Sequence, residues 1–245
     1  MLISVFSALW FIMFGCDAAI VVGLSILLRK RTADQKAKVM MIIGICNLVY
    51  WVFYKVMLAK DPTFEFILAT ELPFQLCNLN MIMIVVAMNW RKPALLNFCY
   101  CFGIIGAVLA LLAPDPGFVN VPLLHVRGYG YWITHHILIC QSIMIVSTGF
   151  YRPRYKDLLK SILILLVLYF AMYFINLILR NVTGLPINYL YTFGMPGNSI
   201  IEMLYRLLPV FPIYLFPALI ALVPVMIGFI ALGRIGEPCP DAIQS

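Results

Sequence analysis

The segment Glu71-Leu-Pro-Phe-Gln-Leu-Cys-Asn-Leu-Asn80 carries polar side chains directly into the apolar run Met81–Met88. Glutamate, glutamine and asparagine each cost free energy in hydrocarbon unless they pair inside the protein or line a wet cavity. The segment therefore predicts either a functional site or hydrogen bonds between membrane helices. Hydrogen bonds of the second kind stabilise membrane bundles by about 0.6 kcal/mol on average.

The composition of the whole chain defines its class. Of the 245 residues, 64% are hydrophobic and 11% are charged, whereas soluble domains lie near roughly 45–50% and 25%. The sequence predicts an all-α integral membrane protein with a single domain, residues 1–245, and a disordered tail, 234–245. The net charge of +7 then reports topology and contact with anionic lipid headgroups. No nucleic-acid partner is expected, because no phosphate-cradling or base-stacking motif accompanies the charge.

The seven cysteines fall mostly in apolar runs, where cysteine behaves as a small hydrophobic residue. No Cys-x-x-Cys or zinc-like Cys/His spacing occurs, so neither a disulfide framework nor a metal site is expected, and the sequence indicates no cofactor. The apolar N-terminus lacks a basic leader and a cleavage site, and we interpret it as the first span.

The apolar segments predict a seven-transmembrane helix bundle. The spans are expected at residues 3–28, 39–58, 66–88, 95–114, 131–150, 161–179 and 210–232. The third helix is expected to be broken near Pro73, because proline removes a backbone donor. Twelve of the 17 Lys and Arg residues fall in the loops after spans one, three and five and in the tail. The positive-inside rule then places the N-terminus outside and the C-terminus in the cytoplasm of a multi-pass protein of the cell membrane.

Polar residues from three separate segments should meet on the extracytoplasmic half of this bundle. They are the head of span three, the histidines near the head of span five, and Asn188–Tyr189 in the long connection before span seven. Asp17, in the middle of span one, is expected to pair with a polar group of another helix or to line the cavity. This convergence is the strongest physical indication of a site.

A thiol becomes a useful nucleophile when a neighbouring imidazole stabilises the thiolate. Cys77 with His135 or His136 supplies such a pair, and Glu71 or Asp17 can orient the imidazole. We favour His136, since small residues along its helix face permit close approach of a neighbouring helix. The two imidazoles project about 100° apart, which suits a shared metal ion poorly.

Four further polar residues are expected to contact substrate, together with Asp17. Asn78, Asn80 and Asn188 can donate hydrogen bonds to a developing oxyanion, and Tyr189 adjoins the last of these. The alternative for each asparagine is a hydrogen bond that joins two helices.

Short motifs along the chain give a family resemblance. They are Leu72-Pro-x-x-Leu-Cys77, the pair His135-His136, Gly149-Phe-Tyr-Arg-Pro153, and Asn188-Tyr-Leu-Tyr191. In this order and at this spacing the sequence resembles the bacterial YwaF-like proteins, which belong with the eukaryotic transmembrane protein 164 family. The resemblance implies a cysteine-dependent acyltransferase that moves fatty acyl chains between phospholipids. It places the cysteine on Cys77 and the histidine on His135 or His136.

Two functional hypotheses follow. The first is a membrane-embedded lipid acyltransferase, in which an acyl chain leaves a phospholipid as a Cys77 thioester and passes to a lysophospholipid or another hydroxyl acceptor. The second is a seven-helix transporter or receptor-like protein that binds a small solute, since broken helices with polar groups are typical of transporters. The sequence does not determine the acyl donor, the acceptor or the oligomeric state.

Overall fold

The computed structural model describes residues 5–114, 116–118, 121–194 and 199–235, and the predicted tail and Cys239 lie almost wholly outside them. Within the described residues the regular structure is helical and includes no strand. Five helices are long and apolar enough to cross a membrane, so the chain is a multi-pass membrane protein. The α-helices are α1 (Ala8–Leu28), α2 (Ala33–Ala59), α3 (Leu76–Trp90), α4 (Pro93–Leu112), α5 (Val126–Ser147), α6 (Leu158–Thr183), α7 (Ser199–Leu207) and α8 (Phe216–Gly233).

Two of the seven predicted spans differ from a simple membrane helix. Helix α3 has 15 residues, fewer than the roughly 20 that cross the hydrocarbon core. Helix α5 is long enough at 22 residues, but Thr134, His135, His136 and Gln141 make it less apolar, and all four are buried inside the bundle. The all-α bundle is confirmed, whereas a count of seven spans depends on these two helices.

Helices α4 and α5 form the interior of the bundle. Helix α5 packs against α1, α2 and α4, while α4 also contacts α3 and α6. Of the apolar window of α4, 72% is buried, against 11–22% in the other four candidate spans. Those four helices expose leucine, isoleucine, valine and phenylalanine side chains on their outer faces, as expected for surfaces in contact with lipid.

The turn between α3 and α4 is short and locally encoded. Arg91 ends α3 in the left-handed conformation (φ 51°), and its N–H donates to the carbonyl of Ala87. Pro93 then occupies the first turn of α4, where its missing N–H leaves no hydrogen bond unmade. The two helices therefore pack side by side along the core.

The third helix begins later than the sequence indicated. Residues 66–75 contain one 3₁₀ turn, Leu68–Thr70, and no α-helix. The helix starts at Leu76, after Gln75 in extended conformation (φ −74°, ψ 153°). Pro73 therefore does not break a helix, because no α-helical turn precedes it. Instead proline disfavours α-conformation in the residue before it, and the backbone follows bends from Glu71 to Pro73 before Gln75 adopts its extended conformation.

Polar contacts of Asp17 and of Ser25 join α1 to α5. The Nδ1–H of His136 donates to the carboxylate of Asp17 at 2.5 Å, and both side chains are buried. Near the C-terminal end of α1, the hydroxyl groups of Ser25 and Ser147 lie 2.7 Å apart. Lipid gives helices no hydrophobic drive to associate, so polar contacts of this kind matter for the position of α1.

We expect Asp17→Ala to destabilise the protein. The change leaves a buried imidazole without its partner, and breaking a buried pair in this way costs about 3–5 kcal/mol. Thermal unfolding of the purified protein in detergent measures the loss. Ser25→Ala is the matched control on the same helix, with an expected loss of about 1 kcal/mol or less. Equal melting temperatures for Asp17→Ala and the unmodified chain would contradict the assigned role of the pair.

Candidate active site

A cavity of about 720 Å³ lies where the head of α3 meets α4, α5, α6 and α8. Cys77, Asn78 and His135 line it, together with Glu71 and Gln75 from the segment that precedes α3. The structure thus brings together four of the predicted site residues, Glu71, Cys77, Asn78 and His135, and adds Gln75. Most of the remaining wall is leucine, alanine and aromatic side chains.

The head of α3 presents free backbone donors beside the thiol. Cys77 is the second residue of the helix, and the N-cap residue Gln75 provides no side-chain cap. Its Oε1 instead accepts a hydrogen bond from the N–H of Leu190 at 3.1 Å. Among the described residues, the N–H groups of Leu76, Cys77 and Asn78 therefore have no hydrogen-bond partner. Such a helix start presents hydrogen-bond donors to a negatively charged group of a ligand.

The packing of α4 leaves room for the sulfur. A Cβ atom built on Gly106 would lie 3.8 Å from Cys77 Sγ and 3.5 Å from the Leu76 side chain. The absence of a side chain at Gly106 therefore keeps this part of the cavity open around the thiol.

His135 has a defined tautomer. Its Nδ1 lies 2.7 Å from the carbonyl oxygen of Tyr131, and because a carbonyl only accepts, Nδ1 carries the proton and donates it. Nε2 is therefore unprotonated in the neutral ring and can act as a base. In the described part of the chain no hydrogen bond joins His135 to Cys77, and their relation is that both side chains line one cavity.

His136 faces away from the cavity. Adjacent helical residues project about 100° apart, and the His136 ring lies between α1 and α5 against Asp17, Phe14 and Trp132. Cys140 lies in the same interface, with Sγ 3.4 Å from the Asp17 carboxylate. The preference for His136 is therefore not supported by its placement, and Asp17 orients this histidine and not His135, the one that lines the cavity with Cys77.

Glu71 pairs with cations and not with imidazole. One carboxylate oxygen accepts from the Lys55 ammonium of α2, and the other accepts from Arg127 Nη1 of α5 at 3.4 Å. All three side chains are largely buried and line the cavity. The expected role of Glu71 in orienting a histidine is replaced by a role in holding two cations.

Tyr189 also supports the segment before α3. Its hydroxyl donates to the Ala69 carbonyl at 2.7 Å and accepts from the Leu72 N–H at 3.0 Å. Burial raises the pKa of Tyr189 to about 12, so the phenol keeps its proton at physiological pH. Asn176 of α6 holds the Tyr189 backbone in turn, with hydrogen bonds to its N–H and carbonyl of 2.9 and 2.8 Å.

The other predicted contact residues have structural surroundings. Asn188 bonds within its own connection, to the carbonyl of Gly194 and the N–H of Phe193. Asn80 is fully buried in the core, close to Gly103 and Ser142. Its amide atoms have no partner in the described structure. Neither asparagine lines the cavity, so neither is placed to donate to a reacting group there.

Several cavity residues were not predicted as site residues. Lys55 and Arg127 had been assigned only to topology, and Tyr54, Gly106 and Tyr131 are also part of the wall. Lys55 gave one usable signal, because it lies inside a predicted span where a charge is costly without a partner. Gly106 gave none, since glycine is common in membrane helices.

The profile of the TMEM164 family matches residues 2–230 of the chain. The match covers nearly the whole sequence, and the chain therefore belongs to the TMEM164 family. No curated protein and no solved structure shows a significant match.

Gly106 provides a test of the cavity around the thiol. Gly106→Ala adds only an ordinary van der Waals contact at 3.5–3.8 Å, whereas Gly106→Leu should fill the space beside Cys77. We expect the leucine variant to react with an alkyl maleimide at least about tenfold more slowly, which is an added barrier of about 1.4 kcal/mol. The alanine variant is the matched control and should react at the unmodified rate. Equal rates in both variants would show that the thiol is reached from another side.

Proposed function

We propose that this member of the TMEM164 family is a membrane-embedded, cysteine-dependent acyltransferase that moves fatty acyl chains from phospholipids to a lysophospholipid or another hydroxyl acceptor. One observation carries the proposal. Cys77 lies at an uncapped helix start, in the same cavity as a histidine whose Nδ1 is engaged elsewhere. A nucleophile, a base and unpaired backbone donors are the parts that acyl transfer requires.

In the first step His135 Nε2 takes the thiol proton and the Cys77 sulfur attacks the ester carbonyl of the phospholipid. The carbonyl oxygen becomes negative and accepts hydrogen bonds from the free N–H groups at the head of α3, a contribution of about 3 kcal/mol per donor in known cases. The bond between the carbonyl carbon and the glycerol oxygen then breaks. The leaving oxygen takes the proton from the imidazolium, which releases a lysophospholipid and leaves a Cys77 thioester.

The second step reverses these roles. The hydroxyl of the acceptor gives its proton to His135 Nε2 and attacks the thioester carbonyl. The C–S bond breaks, the thiolate takes the proton back from the imidazolium, and the new ester leaves. Every proton is returned, so the cycle needs no cofactor.

The walls of the cavity suit an acyl chain. The contributions of α6 and α8 include Leu165, Leu166, Leu219 and Leu222. Such walls let a fatty acyl chain leave the equally apolar bilayer without meeting unpaired polar groups. A small polar solute gains nothing from such walls, so the transporter hypothesis has less support. We propose that the lipid enters laterally, from the bilayer.

The proposal includes a seven-span orientation in the cell membrane, with the N-terminus outside and the cavity in the outer half. Its support is the charge distribution, because the turn after α1 contains Arg29, Lys30 and Arg31. A cysteine placed at residue 31 in a chain without other reactive thiols should be labelled by an impermeant maleimide only after the cells are opened. A cysteine at residue 62, in the connection on the opposite side, should be labelled in intact cells. The reverse pattern would overturn the orientation.

The central prediction is that Cys77 and His135 act as a unit. Cys77→Ser and His135→Ala should each remove most acyl transfer, by at least about a hundredfold, and the double variant should lose little more, because residues that act together are strongly non-additive. The measurement follows a labelled acyl chain from phospholipid to lysophospholipid in proteoliposomes that contain the purified protein.

Two controls make the result specific. Cys46→Ala removes an exposed thiol of α2 outside the cavity and should leave transfer unchanged. His136→Gln changes the neighbouring imidazole, and any loss should follow the loss of folded protein measured on the same sample. Full activity of Cys77→Ser would rule out the thioester route.

A further inference from the structure

Three charged side chains meet at one end of the cavity. Lys55, Glu71 and Arg127 have side-chain exposures of 13%, 9% and 16%, and they are the only Lys, Arg, Asp or Glu residues in the described cavity wall. Two cations against one carboxylate leave a surplus of one positive charge. A surplus charge in surroundings of low dielectric is costly unless a counter-ion accompanies it.

The Arg127 guanidinium has N–H donors that are not engaged in hydrogen bonds. The guanidinium carbon lies 4.6 Å from the ring centroid of Phe64 and 4.4 Å from that of Phe118. These cation–π contacts do not occupy the N–H donors, of which Glu71 takes only the one on Nη1. Arg127 Nε is buried and has no hydrogen-bond partner in the described structure, so the guanidinium retains an unmet donor.

The Lys55 ammonium is positioned in the same way. It lies 5.0 Å from the Tyr54 ring centroid and 5.6 Å from that of Trp51. Of its three donors, one is engaged by Glu71. Two cations held by a single carboxylate between them form a fork that suits an oxygen anion with one negative charge.

We propose that Lys55 and Arg127 bind the phosphodiester of a phospholipid, which supplies one negative charge and two free oxygens. The choice of a lipid as the source of the phosphate rests on the proposed function and on the leucine-rich part of the same cavity wall. Cys77 also lines this cavity. A phosphodiester bound by the two cations therefore holds its lipid in the cavity that contains the thiol, and Glu71 sets the net charge of the site.

Binding can be measured apart from catalysis. The probe is a diether phospholipid, whose ether-linked chains cannot be transferred, and the reference is the matching dialkylglycerol, which lacks the phosphate. Native mass spectrometry of the full chain carrying Cys77→Ser measures both. We expect the diether phospholipid to bind at least about tenfold more tightly than the dialkylglycerol, a preference of about 1.4 kcal/mol. Equal binding of the two would overturn the proposal.

Substitutions identify the residues that cause the preference for the diether phospholipid. Arg127→Gln and Lys55→Gln should each remove most of it, while Arg127→Lys should retain part, because charge remains but the fork is lost. Arg180→Gln is the matched control, since this arginine also stacks on an aromatic ring, that of Phe193, at 4.3 Å, but lies outside the cavity. A preference that survives both glutamine variants, with folding verified by thermal unfolding, would contradict the assignment.

Glu71→Gln gives a result of opposite sign. The amide keeps an acceptor for one of the two cations and removes the competing negative charge, so it should strengthen binding of the diether phospholipid in protein whose folding is verified by thermal unfolding. Weaker binding by the folded variant would contradict the proposed competition. Inorganic phosphate tests the source of the anion, and displacement of the lipid by inorganic phosphate at equal concentration would overturn the lipid assignment.

The proposed function is tested separately by acyl transfer. Suppose that acyl transfer depends on Cys77 but lipid binding does not depend on the phosphate. The headgroup site would then be contradicted, while the proposed enzyme activity would stand. Phosphate-dependent binding without any acyl transfer would support the headgroup site and contradict the proposed enzyme activity.

Discussion

The position of Cys77 depends on the paired charges of Glu71. The Glu71 carboxylate accepts from Lys55 of α2 and from Arg127 of α5, and so ties the non-helical segment before α3 to two helices at once. Tyr189 and Gln75 secure the same segment to the connection after α6. In an environment that supplies no water, hydrogen bonds and charges must be matched within the protein. Here the matching groups come from α2, from α5 and from the connection after α6. Their hydrogen bonds hold the segment in place of those that a continuous helix would make.

The late start of α3 is what makes the cavity chemically useful. A full-length span would have buried the first-turn N–H groups in its own hydrogen-bond ladder and would have placed Cys77 in the middle of a regular helix. Instead the thiol lies next to unpaired donors, where a helix end offers about half a positive charge. The irregular backbone lies against a protein cavity, the setting in which non-helical segments are tolerated at membrane depth.

Much of the fold could be predicted from periodicity and composition. Where the prediction failed, the failure has a physical cause. Long apolar runs predicted most helices closely, because their ends coincide with charged or turn-forming residues. The run from 66 to 75 is apolar enough to suggest helix, but its tertiary hydrogen bonds to Tyr189 and Leu190 determine its conformation. The cluster around Cys77 was predicted from polar residues in apolar segments. The choice between His135 and His136 could not be predicted, because it depends on which face of α5 packs against α1. The sequence around two adjacent histidines does not indicate how the helix is rotated about its axis.

The pairing of Asp17 with His136 also bears on how the protein is made. The two residues are 119 positions apart in the chain, which at about 5–20 residues per second is a delay on the order of ten seconds. Throughout that interval α1 must stay in the bilayer with a carboxylate that has no partner, at a cost of about 2.5–3.5 kcal/mol. Its long apolar sequence offsets this cost. Helix α1 can therefore form this pair only after α5 has been synthesised, so the carboxylate of the first helix remains without its partner while the next four helices are made.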